Sequence, residues 1–354
     1  MIAAADFNII KAERSKLNEM MLEELPFGKY FTDHMLEVDY EDGEWKAVEI
    51  KPYQPLLLSP SVTALHYGQA IFEGIKAYRN QNDEATIFRP HENLKRFNIS
   101  AERMEMPSVP EEIFIEGLRQ LVELDKNWIP QKPDHSLYIR PLMFGSDEMI
   151  GVKPSDKYKF LIILSPTGPY YNAPMKIYVE EKYIRAAPGG VGFAKNAGNY
   201  GAAMHPTAEA KRKGYDQVLW TDAYEHKYVQ ECGTMNVFFI IGDTAYTPDL
   251  ESGTILSGVT RESVMTLLEE AGMKVAERPI SIDEIVDAYK AGKLFEVFGT
   301  GTAATISMIK ELRYRDFVMN FSVDKWKIAP EIKKRMTEIK EGKVPDVYKW
   351  MFKV

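Results

Sequence analysis

The stretch GGVGFAKNAGNYG, Gly189 to Gly201, places five glycines and one lysine in thirteen positions. Glycine costs conformational entropy wherever its permissive dihedrals or missing side chain are not needed, so this density marks backbone that approaches another group closely. Lys195 is the one side chain of the stretch able to do covalent chemistry. A neutral amine condenses with a carbonyl, and burial or a neighbouring charge is what makes a lysine neutral. By itself the stretch also describes a surface loop with a solvated lysine, and other strings must separate the two readings.

Three of them lie downstream: QECGTMNVFFI (Gln230 to Ile240), LSGVTRESV (Leu256 to Val264) and EVFGTGTAATIS (Glu296 to Ser307). Each sets Gly and Thr beside a predicted strand or helix start. In the first half, HMLEVDY and EWKAVEI flank the turn Glu41-Asp42-Gly43 and read as a hairpin. HENLKRFNISAERM and VPEEIFIEGLRQLVEL read as helices, and SLYIRPLMF and KYKFLIILS as buried strands. The proline-rich SPTGPYYNAP interrupts this pattern, so the expected division is a smaller N-terminal domain over 1–165, a linker over 166–176 and a larger C-terminal domain over 177–354 that carries Lys195. In the second half MKIYVEE, QVLWT, KYVQE and MNVFFII read as strands, YGAAMHPTAEAKRKG as a helix that Pro206 kinks or shortens, and TRESVMTLLEEAG as a helix capped by the Thr260 hydroxyl. The class is α+β.

Composition narrows the function. The 354 residues suffice for two cores, and 45% hydrophobic with 27% charged residues is ordinary for a globular chain. Apolar runs such as FLIIL and VFFII are too short to span a bilayer, and the N-terminus lacks the basic, apolar and small-residue blocks of an export signal. Cys232 is the sole cysteine, which excludes an internal disulfide and fits the cytoplasm. A net charge of -8 disfavours nucleic acid, and six scattered histidines offer no metal site.

With the segment IFRP (Ile87 to Pro90) and the opening PFGKYFTDHM from Pro26, these strings resemble the branched-chain amino acid aminotransferases of the fold-type-IV pyridoxal phosphate class. The resemblance runs from about Phe27 to the terminal WMFKV. It implies a two-domain, D-amino acid aminotransferase-like fold with pyridoxal 5′-phosphate at the domain interface, working as a homodimer. By the same resemblance, Lys195 holds the cofactor, Glu231 pairs with its pyridine nitrogen and Tyr200 bonds its phenolic oxygen. Arg89, Val259, Thr260 and Thr302 would hold the phosphate, the two helix-start amides suiting an anion. Thr302 and Ala303 would meet the substrate α-carboxylate, while Phe27, Phe72, Tyr138, Tyr170 and Thr234 would line an apolar side-chain pocket. Arg140 is the candidate partner for the second carboxylate of glutamate, with Tyr67 reaching in from the other subunit.

The pattern has one departure and three competitors. Some animal relatives carry a CxxC pair after the Gly-Thr-Ala turn, where this chain has Ala304 and Ser307. D-Amino acid aminotransferases and aminodeoxychorismate lyase share the lysine and glutamate but lack the PFGKYFTDHM opening. Gly299 to Ala304 mimics a GxGxxA dinucleotide fingerprint, yet TISMIKELRYRD reads as extended where a helix must follow. A non-catalytic relative would have little reason to keep Lys195, Tyr200, Glu231 and Arg89 together.

Overall fold

A computed structural model describes residues 7–19, 25–171 and 173–354. The first six residues, part of the segment read for an export signal, and Asn172 of the expected linker lie outside the described residues. The chain forms two compact units, Met1–Tyr170 with Ala194–Ala197 and Glu338–Val354, and Tyr171–Phe193 with Gly198–Thr337.

The first unit contains β1 (Phe7–Ile9), β2 (His34–Glu41), β3 (Glu44–Trp45), β4 (Val48–Pro52), α1 (Thr63–Tyr67), β5 (Ala70–Phe72), β6 (Ile75–Arg79), β7 (Ala85–Phe88), α2 (Pro90–Arg103), α3 (Glu111–Leu124), β8 (Ser136–Gly145) and β9 (Tyr158–Thr167). Its sheet runs β1-β4-β2-β9-β8-β6-β7, with β3 on β2, β5 on β8, and the C-terminal strand Met351–Lys353 antiparallel to β7. The hairpin at Asp42-Gly43 forms as expected: both residues have positive φ, 56° and 79°, the turn geometry that matches the twist of flanking strands. Inward residues of the strands, among them Leu36, Ile50, Ile139 and Ile162, are fully buried. Phe97 of α2, Phe114 of α3 and Phe160 of β9 meet with ring centroids 5.6 to 5.8 Å apart, which fixes both helices against the sheet.

The second unit contains β10 (Met175–Val179), α4 (Ala197–Ala202), α5 (Met204–Arg212), β11 (Gln217–Thr221), β12 (Val229–Cys232), β13 (Asn236–Ile241), β14 (Thr244–Thr247), α6 (Val259–Glu270), β15 (Lys274–Glu277), α7 (Ile282–Lys290), β16 (Leu294–Gly301), β17 (Thr305–Tyr314), β18 (Phe317–Asn320) and most of α8 (Ile328–Lys340). The sheet order is β12-β11-β10-β17-β16-β13-β14-β15, with β18 on β17. Its core gathers Ile177, Leu219, Val237, Phe239, Val297 and Ile309.

Several expectations change on folding. Residues 194–197 and the tail from Glu338 group with the first unit, because the Lys195 carbonyl accepts from Phe72 N–H at 3.0 Å and Met351–Lys353 joins β7. Strand β9 continues through Pro166 to Thr167, into the span read as linker. Pro206 does interrupt its helix: without an N–H it cannot bond to the Ala202 carbonyl, and α4 and α5 are separated at Ala203. Thr260 is not a cap; Gly258 occupies that position and Thr260 lies buried in the first turn of α6. The Gly299 to Ala304 string sits in the antiparallel β16–β17 hairpin, which removes the dinucleotide-fold alternative. Among the described residues no helix is long and apolar enough to cross a membrane, and no group of three His, Cys, Asp or Glu could hold a metal ion.

One buried charge stands out energetically. Lys340, 3% exposed, lies 4.6 Å from the Phe88 ring centroid and 5.8 Å from that of Tyr78. Burial, and then the like charge of Lys76, push its amine down to about 7. A lysine depressed in the folded state binds its proton more weakly than in the unfolded chain, so stability falls as pH drops from its ordinary 10.5 towards 7 and levels off below. Lys340→Met should therefore stabilise the protein by roughly 2–4 kcal/mol at pH 7, with the advantage shrinking as pH approaches 10. Denaturant midpoints across that range test it; a gain independent of pH would assign the effect to packing.

Candidate active site

In the first unit, Lys195 is clamped by its main chain. Its N–H donates to Ser100 Oγ at 2.9 Å, its carbonyl accepts from Phe72, and Asn196 bridges to Ile71. The lysine amine lies 5.1 Å from the Phe72 ring centroid, and the close approach that the glycines permit falls at Gly192, where a Cβ would lie 2.6 Å from the Thr254 carbonyl oxygen. Arg140 of β8 stands against the same ring, its guanidinium carbon 4.6 Å from the centroid, and donates to the Tyr138 hydroxyl at 2.9 Å. Its Nε is buried and has no hydrogen-bond partner among the described residues, so an acceptor brought to this place would meet an unsatisfied cationic donor.

The aromatic residues continue outward from there. Phe27 packs edge-on against Tyr138 at 4.7 Å and against Tyr170 at 4.9 Å. Burial, and then the neighbouring Tyr138, raise the Tyr170 hydroxyl above its ordinary range, so it stays neutral. Phe27, Phe72, Tyr138, Arg140, Tyr170 and Lys195 are thereby linked by direct contacts or a shared ring. Tyr67 is not among them: it ends α1, 41% exposed. Arg89 caps α2 in the left-handed region, φ 46°, with its N–H on the Trp350 carbonyl at 2.7 Å and its guanidinium 5.5 Å from the Trp350 ring.

In the second unit, Glu231 of β12 is 3% exposed and fully engaged on both oxygens. One accepts from Leu256 N–H at 2.7 Å and the other from Arg185 Nε at 2.9 Å. Arg185 also donates to the Thr254 carbonyl at 2.6 Å, tying the carboxylate to the segment that leads into α6. Arg185 lines one cleft with Asn199, Tyr200, Ala203, Gly233 and Thr234, which brings three of the expected residues, Tyr200, Thr234 and through Arg185 also Glu231, to one place.

Val259 and Thr260 open α6, twelve residues long, behind an N-cap glycine that offers no side-chain bond to their amides. A Cβ on Gly258 would lie 2.0 Å from Asn236 Oδ1, so the backbone there is packed too closely for a side chain. A helix start of this kind fits a phosphate, and a buried carboxylate paired with an arginine fits a protonated ring nitrogen. Thr302 and Ala303 form the turn between β16 and β17, partly buried. Cys232 is fully buried, and burial with the Glu231 charge pushes its thiol up to about 12, so it is inert as a nucleophile.

Comparison with known proteins gives the family. Residues 70–312 match the family described as amino-transferase class IV. The chain belongs to that family. A probable branched-chain-amino-acid aminotransferase of Staphylococcus epidermidis is 49% identical over 337 residues, 93% of each chain. Branched-chain-amino-acid transaminase 1 of Bacillus subtilis is 48% identical, covering 93% of this chain and 94% of its own. The crystal structure of the T.th. branched-chain amino acid aminotransferase complexed with N-(5′-phosphopyridoxyl)-L-glutamate superposes with a TM-score of 0.73 at 26% identity, covering 91% of this chain and 99% of that one.

Arg185 was not among the residues singled out from the sequence, where EEKYIRAAP carries no motif. Its removal leaves Glu231 buried without its ion partner, which should cost roughly 3–5 kcal/mol in Arg185→Met. Adding Glu231→Gln removes the stranded charge and should restore much of that loss. Urea denaturation of the single and double variants checks the pair, and a double variant as unstable as Arg185→Met alone would place the effect elsewhere.

Proposed function

We propose that this chain is a branched-chain amino acid aminotransferase, transferring the amino group of leucine, isoleucine or valine to 2-oxoglutarate with pyridoxal 5′-phosphate as cofactor. The observation that carries the reading is the placement of Lys195 and Arg140 against one phenylalanine ring, with a buried guanidinium donor left unpaired. An amine for the chemistry and a cation for an acidic side chain are what alternating apolar and acidic substrates require.

Lys195 would hold the cofactor through Nζ, with Glu231 at the pyridine nitrogen, Tyr200 at the phenolic oxygen, and Arg89, Val259, Thr260 and Thr302 at the phosphate. When bound, the protonated ring supplies an electron sink for the charge left on the substrate Cα. Lys195 Nζ, when not engaged with the cofactor, would hold and move the proton at the substrate Cα. Arg185 would keep the Glu231 carboxylate in place. Phe27, Phe72, Tyr138, Tyr170 and Thr234 enclose the apolar side chain and exclude water, while Thr302 and Ala303 orient the α-carboxylate.

A homodimer in the cytoplasm completes the proposal. Leu65 and Tyr67 of α1 and Leu57, Ile150 and Val152 outside it are all exposed, and the start of α1 is tied to the segment leading to Ile150 where Thr63 N–H donates to the Asp147 carbonyl at 2.9 Å. Apolar side chains gathered in this way suit a subunit interface that would bring Tyr67 to a neighbour's site. Light scattering measures the mass, and a fully active monomer would remove this role of Tyr67.

The decisive experiment is an absorbance spectrum. The purified protein should carry a visible band that leucine shifts, and Lys195→Ala should abolish both the shift and turnover. Arg140→Met should weaken the half-reactions with glutamate and 2-oxoglutarate by roughly 1.5–3 kcal/mol, the worth of a charged hydrogen bond, and leave those with leucine little changed. Equal slowing with both substrates would show that Arg140 serves a group common to them.

A further inference from the structure

Glu73 follows Phe72 directly and has no exposed surface, yet the steps above do not use it. An ionised carboxylate is costly to bury unless it is paired and hydrogen-bonded. Here Arg96 of α2 forks onto it, Nε to one oxygen at 2.7 Å and Nη2 to the other at 2.8 Å. Asn93 Nδ2 adds a bond at 2.8 Å and the Gly74 N–H one at 3.0 Å. Burial opposes its ionisation, but the charge and hydrogen bonds of Arg96, with the charge of Lys195 and the Asn93 bond, hold the carboxyl below its ordinary range.

The same elements grip Lys195 from both sides. Phe72, the residue before Glu73, donates its N–H to the Lys195 carbonyl. Ser100, one turn beyond Arg96 on α2, accepts the Lys195 N–H and donates its hydroxyl to the Arg96 carbonyl at 2.9 Å. The carboxylate that senses the Lys195 charge and the main-chain clamp on Lys195 are therefore one rigid construction. Among the described residues, the ionisable groups around this construction include Arg96 of α2, paired with Glu73, and Arg140 of β8, which shares the Phe72 ring with Lys195 and donates to the Tyr138 hydroxyl.

We propose that Glu73, locked by Arg96 and Asn93, is a positioning residue that presents a fixed negative charge to Lys195 and so governs the proton on the nitrogen this lysine supplies. The inference rests on the pyridoxal phosphate reading above. Glu73 and Arg96 act with opposite sign on that proton, whereas a purely structural pair would disturb it in one direction or not at all.

The test is a pH titration of the visible band in the purified, cofactor-loaded protein without substrate. In Glu73→Gln the negative charge is gone and Arg96 remains, so the midpoint should fall by about one pH unit. In Arg96→Gln it should rise, and in Glu73→Asp, which keeps the charge, it should stay near wild type. Stopped-flow half-reactions of Glu73→Gln should slow by the same factor with leucine and with glutamate, KM unchanged, since Lys195 serves both. A Glu73→Gln midpoint equal to wild type, or Glu73→Gln and Arg96→Gln midpoints moving the same way, would overturn the inference while leaving the cofactor assignment intact. If Glu73→Gln does not fold, an Arg96→Gln midpoint at or below wild type overturns it and a higher one supports it. A wild-type protein without the band would instead remove the cofactor reading, and this inference with it.

Discussion

A main-chain hydrogen bond from Phe72 N–H to the Lys195 carbonyl fixes where Lys195 sits in the first unit. It joins the segment at residue 195 to a strand more than a hundred residues earlier in the chain. From this contact follow the position of the amine beside the Phe72 ring, the bond to Ser100 on α2, and the proximity of Arg140. Helix α2 then carries the constraint further, since Arg89 is its N-cap and Asn93 and Arg96 hold Glu73.

The second unit solves a different electrostatic problem. Glu231 is buried, and Arg185 with the Leu256 amide gives each of its oxygens a partner without exposing it to water. The arginine is anchored in turn by the carbonyl of Thr254, just ahead of the helix start at Val259. The stretch from Thr254 to Val259 therefore ties the carboxylate to the start of α6.

Local chemistry was legible in the sequence where a few adjacent residues decide the outcome. Asp42-Gly43 specified its hairpin, Pro206 broke its helix, and the apolar strings SLYIRPLMF and KYKFLIILS marked two buried central strands. Thr260 misled because threonine before an acid resembles a cap, while Gly258 two residues earlier already held that place. Glu73 and Arg185 escaped notice for a physical reason: a single charge inside an apolar string looks like a solvated strand edge, and only tertiary packing reveals a partner such as Arg96 or Glu231. The grouping of residues 194–197 and of the tail from Glu338 with the first unit depends on pairings between distant segments, which no local pattern encodes.

Arg89 adopts a backbone conformation that glycine accepts freely and an arginine pays for, roughly 1–2 kcal/mol. Glycine at that position would relax the chain and at the same time delete a cation proposed to meet the phosphate. Screening variants for heat tolerance alone would therefore reward the loss of that charge. Position 89 is a place where durability and chemistry pull against each other, and any engineering of this scaffold has to score both.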